Sequence, residues 1–131
     1  MRIQVTDFMS SPVTTAVGKT SVQEIRTLIK RHSIHAIPII RYSKQLPESE
    51  VIIRGIITTT DLYTEVNDKT SAEEIMTSKV HIIHKDSNAQ SAAKMMLKHK
   101  VHHLVVMDEG KITGMISSLD FVKLVADHSL D

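Results

Sequence analysis

Hydrophobic and polar positions along the chain fall into the same order of patterns twice. A short β-prone run (13–16, then 80–84) leads into a capping pattern, Thr20…Gln23 and Ser87…Gln90, where a hydroxyl can satisfy an orphan helix N–H and the Gln can reach back. Apolar residues then recur at helical spacing: Val22, Ile25, Leu28 and Ile29, then Ala89, Ala92, Ala93 and Met96. Two apolar strand-like runs follow in each half, 36–40 with 51–57 and 103–107 with 112–116. The second pair is joined by Asp108-Glu109-Gly110-Lys111, which reads as a tight hairpin with glycine where a positive φ is required. A second helix, 59–66 and 118–127, closes each half. Between the halves lies Asn67-Asp68-Lys69-Thr70, and Ser71…Glu74 reads as the cap of a short helical turn before Met76.

The order β-α-β-β-α, met twice, is an internal duplication. Met9-Ser10-Ser11 recurs as Met76-Thr77-Ser78, an offset of 67 that also maps His32-Ser33-Ile34-His35 onto His99-Lys100-Val101-His102 and Ile37-Pro38-Ile39-Ile40 onto Leu104-Val105-Val106-Met107. Gly55-Ile56-Ile57-Thr58-Thr59-Thr60-Asp61-Leu62 maps onto Gly114-Met115-Ile116-Ser117-Ser118-Leu119-Asp120-Phe121 at an offset of 59, so the first copy carries eight extra residues, in the polar stretch 42–50. The expected organisation is a first repeat at 1–66, a linker at 67–73 and a second repeat at 74–131, in an α+β fold. A unit of some sixty residues buries too little apolar area to offset its chain entropy. The copies are therefore expected to stack sheet against sheet with pseudo-two-fold symmetry, which leaves clefts between them.

Composition narrows the function. The chain has 131 residues, 41% of them hydrophobic and 24% charged, and 16 basic residues against 15 acidic ones leave a net charge of +1. No net field draws it to nucleic acid or anionic lipid. Two Tyr, two Phe and no Trp make a poor base-stacking surface. Without cysteine there are no disulfides, thiolate metal sites or thiol catalysis. No apolar run reaches the length of a membrane span and the first residues lack a signal-peptide stretch, so a soluble, cytoplasmic domain is expected. Nucleophile-elbow, zincin, P-loop and dinucleotide-fingerprint patterns are absent, and the adjacent pair Glu73-Glu74 reads as a helix start, so no enzyme is expected.

Taken together, the Met-[Ser/Thr]-x-x-Val openings, the segments Ile34-His35-Ala36-Ile37-Pro38-Ile39-Ile40 and Val101-His102-His103-Leu104-Val105-Val106, and the Gly-φ-Ile-[Thr/Ser]-x-x-Asp elements at 55–62 and 114–121 resemble a tandem pair of CBS (cystathionine-beta-synthase) domains, the Bateman module. The resemblance covers roughly residues 6–125, so no attached enzyme, channel or DNA-binding domain is expected. It implies a regulatory module that binds an adenosine-containing ligand (AMP, ADP, ATP or S-adenosylmethionine) in the clefts between the repeats, works as a homodimer and signals to a regulated protein. The same resemblance implies that Ser117 and Asp120 face Thr20, Ile34, His35 and Ala36, and that Thr58 and Asp61 face Ser87, Val101, His102 and His103. The aspartates would hold the ribose, since a carboxylate accepts two hydrogen bonds from a vicinal diol.

Each of these assignments has a plainer reading. An [S/T]-x-x-D at a helix start is also a capping box, and both meanings stay open. His32 and His99 close helices, where they complement the dipole. His35 and His102 fall in a segment that resembles the phosphate-contacting Ile-His-Arg-Leu-Pro stretch of the gamma subunit of AMP-activated protein kinase, and a histidine there gains charge near neutral pH. In this chain Ala36 and His103 occupy the Arg position, removing a bidentate phosphate clamp, and Val105 replaces the second Pro. A metal centre on His99, His102 and His103, or on His81 and His84, is the competing reading. His81 and His84 are three apart on a strand, hence on opposite faces, and no acidic ligand stands near His102 and His103 at a useful spacing. No metal site is assigned. Met95, Met96, Met107 and Met115 are read as core. Two further functions compete with the ligand sensor: a ligand-free structural module for dimerisation and protein docking, and a metal-responsive switch.

Overall fold

In the computed structural model, which describes residues 2–43, 45, 50–63 and 66–128, the order of elements is β1 (Ala16–Val17), α1 (Val22–His32), β2 (Ala36–Arg41), β3 (Ile52–Thr58), α2 (Ala72–Ile75), β4 (Ile82–His84), α3 (Ala89–His99), β5 (His103–Asp108), β6 (Lys111–Ser117) and α4 (Ser118–Asp127). The α+β class and both strand pairs are as expected. One expected element differs: the helix at 59–66 is, over its described part, a single 3₁₀ turn, Thr60–Leu62, and 64–65 lie outside the described residues. The duplicate α4 does form, as a ten-residue helix.

The compact units are not the sequence repeats. One unit is residues 14–80; the other combines residues 1–13 with 81–131. In the 14–80 unit a three-stranded sheet has the order β1-β2-β3, with β1 parallel and β3 antiparallel to the central β2. Ile37, Ile39 and Ile57 meet Val22 and Ile25 of α1, Leu62 and Ala72 in its core. In the other unit the order is β4-β5-β6 with the same directions, and Leu104, Val106 and Ile116 meet Ala92 and Met96 of α3, Val5 and Ile83. Alternate residues of the central strands, Ala36, Ile40 and Val105 among them, are buried as well. That two-sided burial explains why these strands read as continuous apolar runs.

Hydrogen bonds show what assigns the opening segments. The N–H groups of Val22 and Ala89, in the first turns of α1 and α3, donate to the carbonyls of Thr70 (2.8 Å) and Ile3 (2.7 Å), which are equivalent positions. In return, Ala72 and Val5 donate to the carbonyls of Thr20 and Ser87 at 2.7 and 2.9 Å. Further along, Ile56 and Thr77 exchange both backbone bonds (2.9 and 3.0 Å), as do Ser10 and Met115 (2.9 and 3.0 Å). The Met-[Ser/Thr] segment of one copy thus completes the sheet built by the other. The crossings come close to both glycines: a Cβ on Gly55 would lie 2.8 Å from both the Met76 Cγ and the Thr77 carbonyl oxygen, a backbone atom, and one on Gly114 would lie 2.7 Å from the Cγ of the flexible Met9 side chain.

Helix starts are displaced from the expected cap by one residue. Ser21 and Asn88, not Thr20 and Ser87, accept the capping bonds, from Glu24 N–H (3.2 Å) and Ser91 N–H (2.8 Å). Thr20 instead closes the turn before α1, its hydroxyl oxygen accepting from Val17 N–H at 3.2 Å. Gln23 and Gln90 are accordingly not the box partners. The third cap forms as expected: Ser71 N–H and hydroxyl donate to the Glu74 carboxylate at 2.8 and 3.0 Å. Helices α1 and α3 end on the left-handed residues Ser33 (φ 52°) and Lys100 (φ 55°). Glu109 (φ 48°) and Gly110 (φ 76°) turn the β5–β6 hairpin, with Asp108 paired to Lys111. Two successive positive φ values are those of a type I′ turn. Among the described residues no helix is long and apolar enough to cross a membrane.

Candidate functional site

Each unit brings two of the repeated motifs to one end of its sheet. In the 14–80 unit, β2 begins at Ala36 directly opposite Thr58, the last residue of β3. Thr59 N–H donates to the His35 carbonyl at 2.9 Å, extending the pairing past the strand end. Ile34 is fixed by the α1 terminus, its N–H donating to the Ile29 carbonyl at 3.1 Å while its side chain packs on the core. That pairing follows a left-handed residue and is a Schellman closure. Asp61 Oδ2 accepts from Thr58 N–H (2.8 Å) and from the Thr58 hydroxyl (3.2 Å).

The second copy repeats the arrangement. His103 stands opposite Ser117, Ser118 N–H donates to the His102 carbonyl at 2.9 Å, and Val101 N–H donates to Met96 at 3.1 Å. Asp120 Oδ2 accepts from Ser117 N–H (2.8 Å), and Asp120 N–H donates to Ser117 Oγ (3.3 Å), a reciprocal capping box at the start of α4. The imidazole Nδ1 of His102 lies 3.3 Å from Ser118 Oγ. In both units the histidine before the strand is exposed, and the [Ser/Thr]-x-x-Asp pair is half-buried.

Thr20 and Ser87 do not join these clusters. Because β1 runs parallel to β2, with Ala16 beside Ile39 and Val17 beside Ile40, Thr20 emerges at the far end of β2 from Ala36. Four residues of strand, about 13 Å, separate the two ends. Ser87 likewise follows β4, where His84 pairs with Met107 rather than with His103. Ala36 is 5% exposed and offers little beyond a methyl wall. Thr59 and Ser118 were missed. Their signal was the doublet Thr58-Thr59, repeated as Ser117-Ser118, whose second hydroxyl residue ties the motif to the histidine segment. Beside Thr59 lies an open groove of about 220 Å³ lined by Arg26, Ile29, Thr59, Leu62 and Tyr63.

The other histidines are placed in different ways. His32 and His99 end α1 and α3, and the His99 ring stacks on His81 with centroids 4.1 Å apart. His84 lies between Asp86 and Asp108, 3.5 Å from each. Among the described residues no three His, Asp or Glu side chains are grouped to hold a metal ion. Met96 and Met115 are buried, whereas Met95 and Met107 are half-buried. A network outside the motifs joins the Glu73 carboxylate to Lys19 and Arg54, each at 2.9 Å. The Lys19 ammonium, and Arg54 after it, hold Glu73 below its ordinary value of 4.5.

Comparison with known proteins matches this geometry to one family. The CBS domain model matches residues 5–68 and again 72–127. Inosine-5'-monophosphate dehydrogenase of Chlorobaculum parvum is 30% identical over 114 residues, which are 86% of this chain and 22% of that enzyme, so the chain spans about a fifth of the length of this relative. The CBS domain-containing protein YhcV of Bacillus subtilis is 21% identical over 118 residues, covering 86% of this chain and 79% of that protein. Among solved structures, the CBS domain pair of protein MJ0100, in complex with 5'-methylthioadenosine and S-adenosyl-L-methionine, superposes with a TM-score of 0.83 at 27% identity and covers 97% of this chain and 98% of that one. With two matched copies spanning nearly its whole length, the chain belongs to the CBS domain family.

Proposed function

We propose that this chain is a regulatory module, not an enzyme, that binds an adenosine-containing ligand through its repeated motifs. The observation that carries this reading is the convergence, in both units, of a histidine-led strand start with a [Ser/Thr]-x-x-Asp pair. Asp120 Oδ2 is taken by its own helix start, while Oδ1 accepts no hydrogen bond among the described residues and is available to a ribose diol. Thr58 and Asp61 are the corresponding pair of the other site, with Asp61 Oδ2 held by the Thr58 N–H and hydroxyl. His35, His102 and His103 face the phosphate or sulfur-linked tail, and Ile34, Ala36 and Val101 wall the base. The adenosine complexes of the MJ0100 pair support the ligand class. With Ala36 and His103 where a guanidinium would clamp phosphates, AMP, 5'-methylthioadenosine or S-adenosylmethionine suits the sites better than ATP. The module acts in the cytoplasm as a homodimer, and occupancy shifts it toward the arrangement that a regulated protein reads.

Isothermal titration and thermal shift with AMP, ADP, ATP, S-adenosylmethionine and 5'-methylthioadenosine test the proposal. A ligand at a hundred times its Kd raises stability by about 2.7 kcal/mol. Asp120→Asn and Asp61→Asn, which keep an acceptor for the cap, are expected to lose one site each while the apo melting temperature stays close to wild type. Silence toward all five compounds, with an unchanged melting temperature and a dimer that forms regardless, would instead establish a structural docking module.

A further inference from the structure

We infer that the outer face of α3 is a docking surface for an acidic segment of a partner protein that carries an apolar side chain. Gln90, Lys94, Leu97 and Lys98 follow one another at helical spacing on the exposed side of the helix, and Lys100 in its cap continues the stripe. Leu97 is 79% exposed at the centre of this stripe. No Asp or Glu occurs anywhere from Ser87 to Met107. Among the described residues no carboxylate lies within 4.0 Å of Lys94, Lys98 or Lys100, whereas Lys19 and Lys85 both have acidic partners.

The duplicate helix supplies the control. At the offset of 67, Leu97 corresponds to Lys30, Ser91 to Glu24 and Ala93 to Arg26, which pairs with Asp68 at 3.5 Å. Helix α1 thus has the mixed surface of an ordinary solvated helix. Its copy has lost the acid, kept the positive charge and placed a leucine outside. Like charges four apart, as at Lys94 and Lys98, disfavour a helix on their own, so the pattern works against the stability of α3. Carboxylates reaching both ammonium groups remove that repulsion, and Leu97 gives the desolvated centre that exposed ion pairs lack. A membrane is a poorer fit, because one leucine makes no apolar face to insert. Nucleic acid is poorer too, because the face has neither arginine nor an aromatic ring.

The test is an amide-shift NMR titration of the full chain with a synthetic peptide of glutamate pairs alternating with leucine, in low and high salt. Shifts are expected around 94–100, with affinity falling as salt rises. Lys94→Glu places a carboxylate four residues before Lys98, an arrangement that supports the helix, so it keeps the fold while weakening the peptide roughly tenfold. Leu97→Ser weakens it as well, and Lys30→Glu on α1 leaves it unchanged. The inference is overturned by shifts mapping elsewhere, by equal affinity in Lys94→Glu and wild type, by no binding at millimolar peptide, or by binding of anionic vesicles or single-stranded DNA at this face in place of the peptide.

Discussion

Replacing Gly55 by alanine tests the crossing of residues 76–77 over β3. The backbone at Gly55 is not in the left-handed region. Alanine is therefore conformationally allowed, and in open space it would stabilise by about 0.4–1 kcal/mol through the unfolded chain. The space is not open. The new methyl would stand 2.7 Å from the Met76 Sδ and 2.8 Å from the Thr77 carbonyl oxygen, roughly 0.8 Å inside ordinary contact. Met76 can swing away; Thr77 cannot, because Ile56 holds it by two backbone bonds of 2.9 and 3.0 Å. Withdrawal breaks both, at about 0.5–1.5 kcal/mol each. The net loss is about 2 kcal/mol, or roughly 6–12 °C in melting temperature for a chain of this size.

Gly114 is the internal comparison. Its three nearest contacts are all atoms of the Met9 side chain, a flexible thioether. Gly114→Ala is expected to stay within about 1 kcal/mol of wild type. Urea titration followed by circular dichroism measures both. Adding Met76→Ala to Gly55→Ala should restore less than half of the loss, since the carbonyl remains. Equal losses at the two glycines, or a Gly55→Ala protein as stable as wild type, would refute the reasoning.

Three further predictions concern local structure. Asn88→Ala should lower stability by about 1 kcal/mol through the α3 cap, whereas Ser87→Ala, at the expected but unused capping position, should be close to neutral in the same titration. Ser33→Gly should raise the melting temperature by a few degrees, because glycine adopts the left-handed conformation at 33 without the cost of a Cβ, worth roughly 0.5–1 kcal/mol. Glu73 is held below 4.5 by its bonds from Lys19 and Arg54. Its contribution is therefore complete above pH 4.5 and is lost as the pH falls through the lower folded value. Glu73→Gln should flatten the acid side of the stability curve and leave its shape near pH 6 unchanged; an equally steep acid limb would show that the network contributes nothing.

Much of this protein is determined locally and is legible in the sequence. The duplication, both strand pairs, the hairpin at Glu109-Gly110 and the closing helix α4 follow from periodicity, turn chemistry and capping residues, which act over a few neighbours. The register that sets His103 opposite Ser117 also follows, because the tight turn at Glu109-Gly110 fixes which residues stand opposite. Residues 42–51, by contrast, separate β2 from β3, and the pairing of Ala36 with Thr58 was decided by the tertiary structure. Local patterns were ambiguous where two capping residues stood side by side, as at Thr20-Ser21 and Ser87-Asn88. There the tertiary bonds of the 3–5 and 70–72 segments decided the helix start. Only the tertiary structure assigned the opening segments: residues 3–10 to the sheet of β4, β5 and β6, residues 70–77 to that of β1, β2 and β3. Gly55 and Gly114 permit those crossings, but a glycine in a strand does not name the backbone that will approach it. That identity depends on residues dozens of positions away, and it emerges only when the orphan N–H groups of a distant helix start find their acceptors.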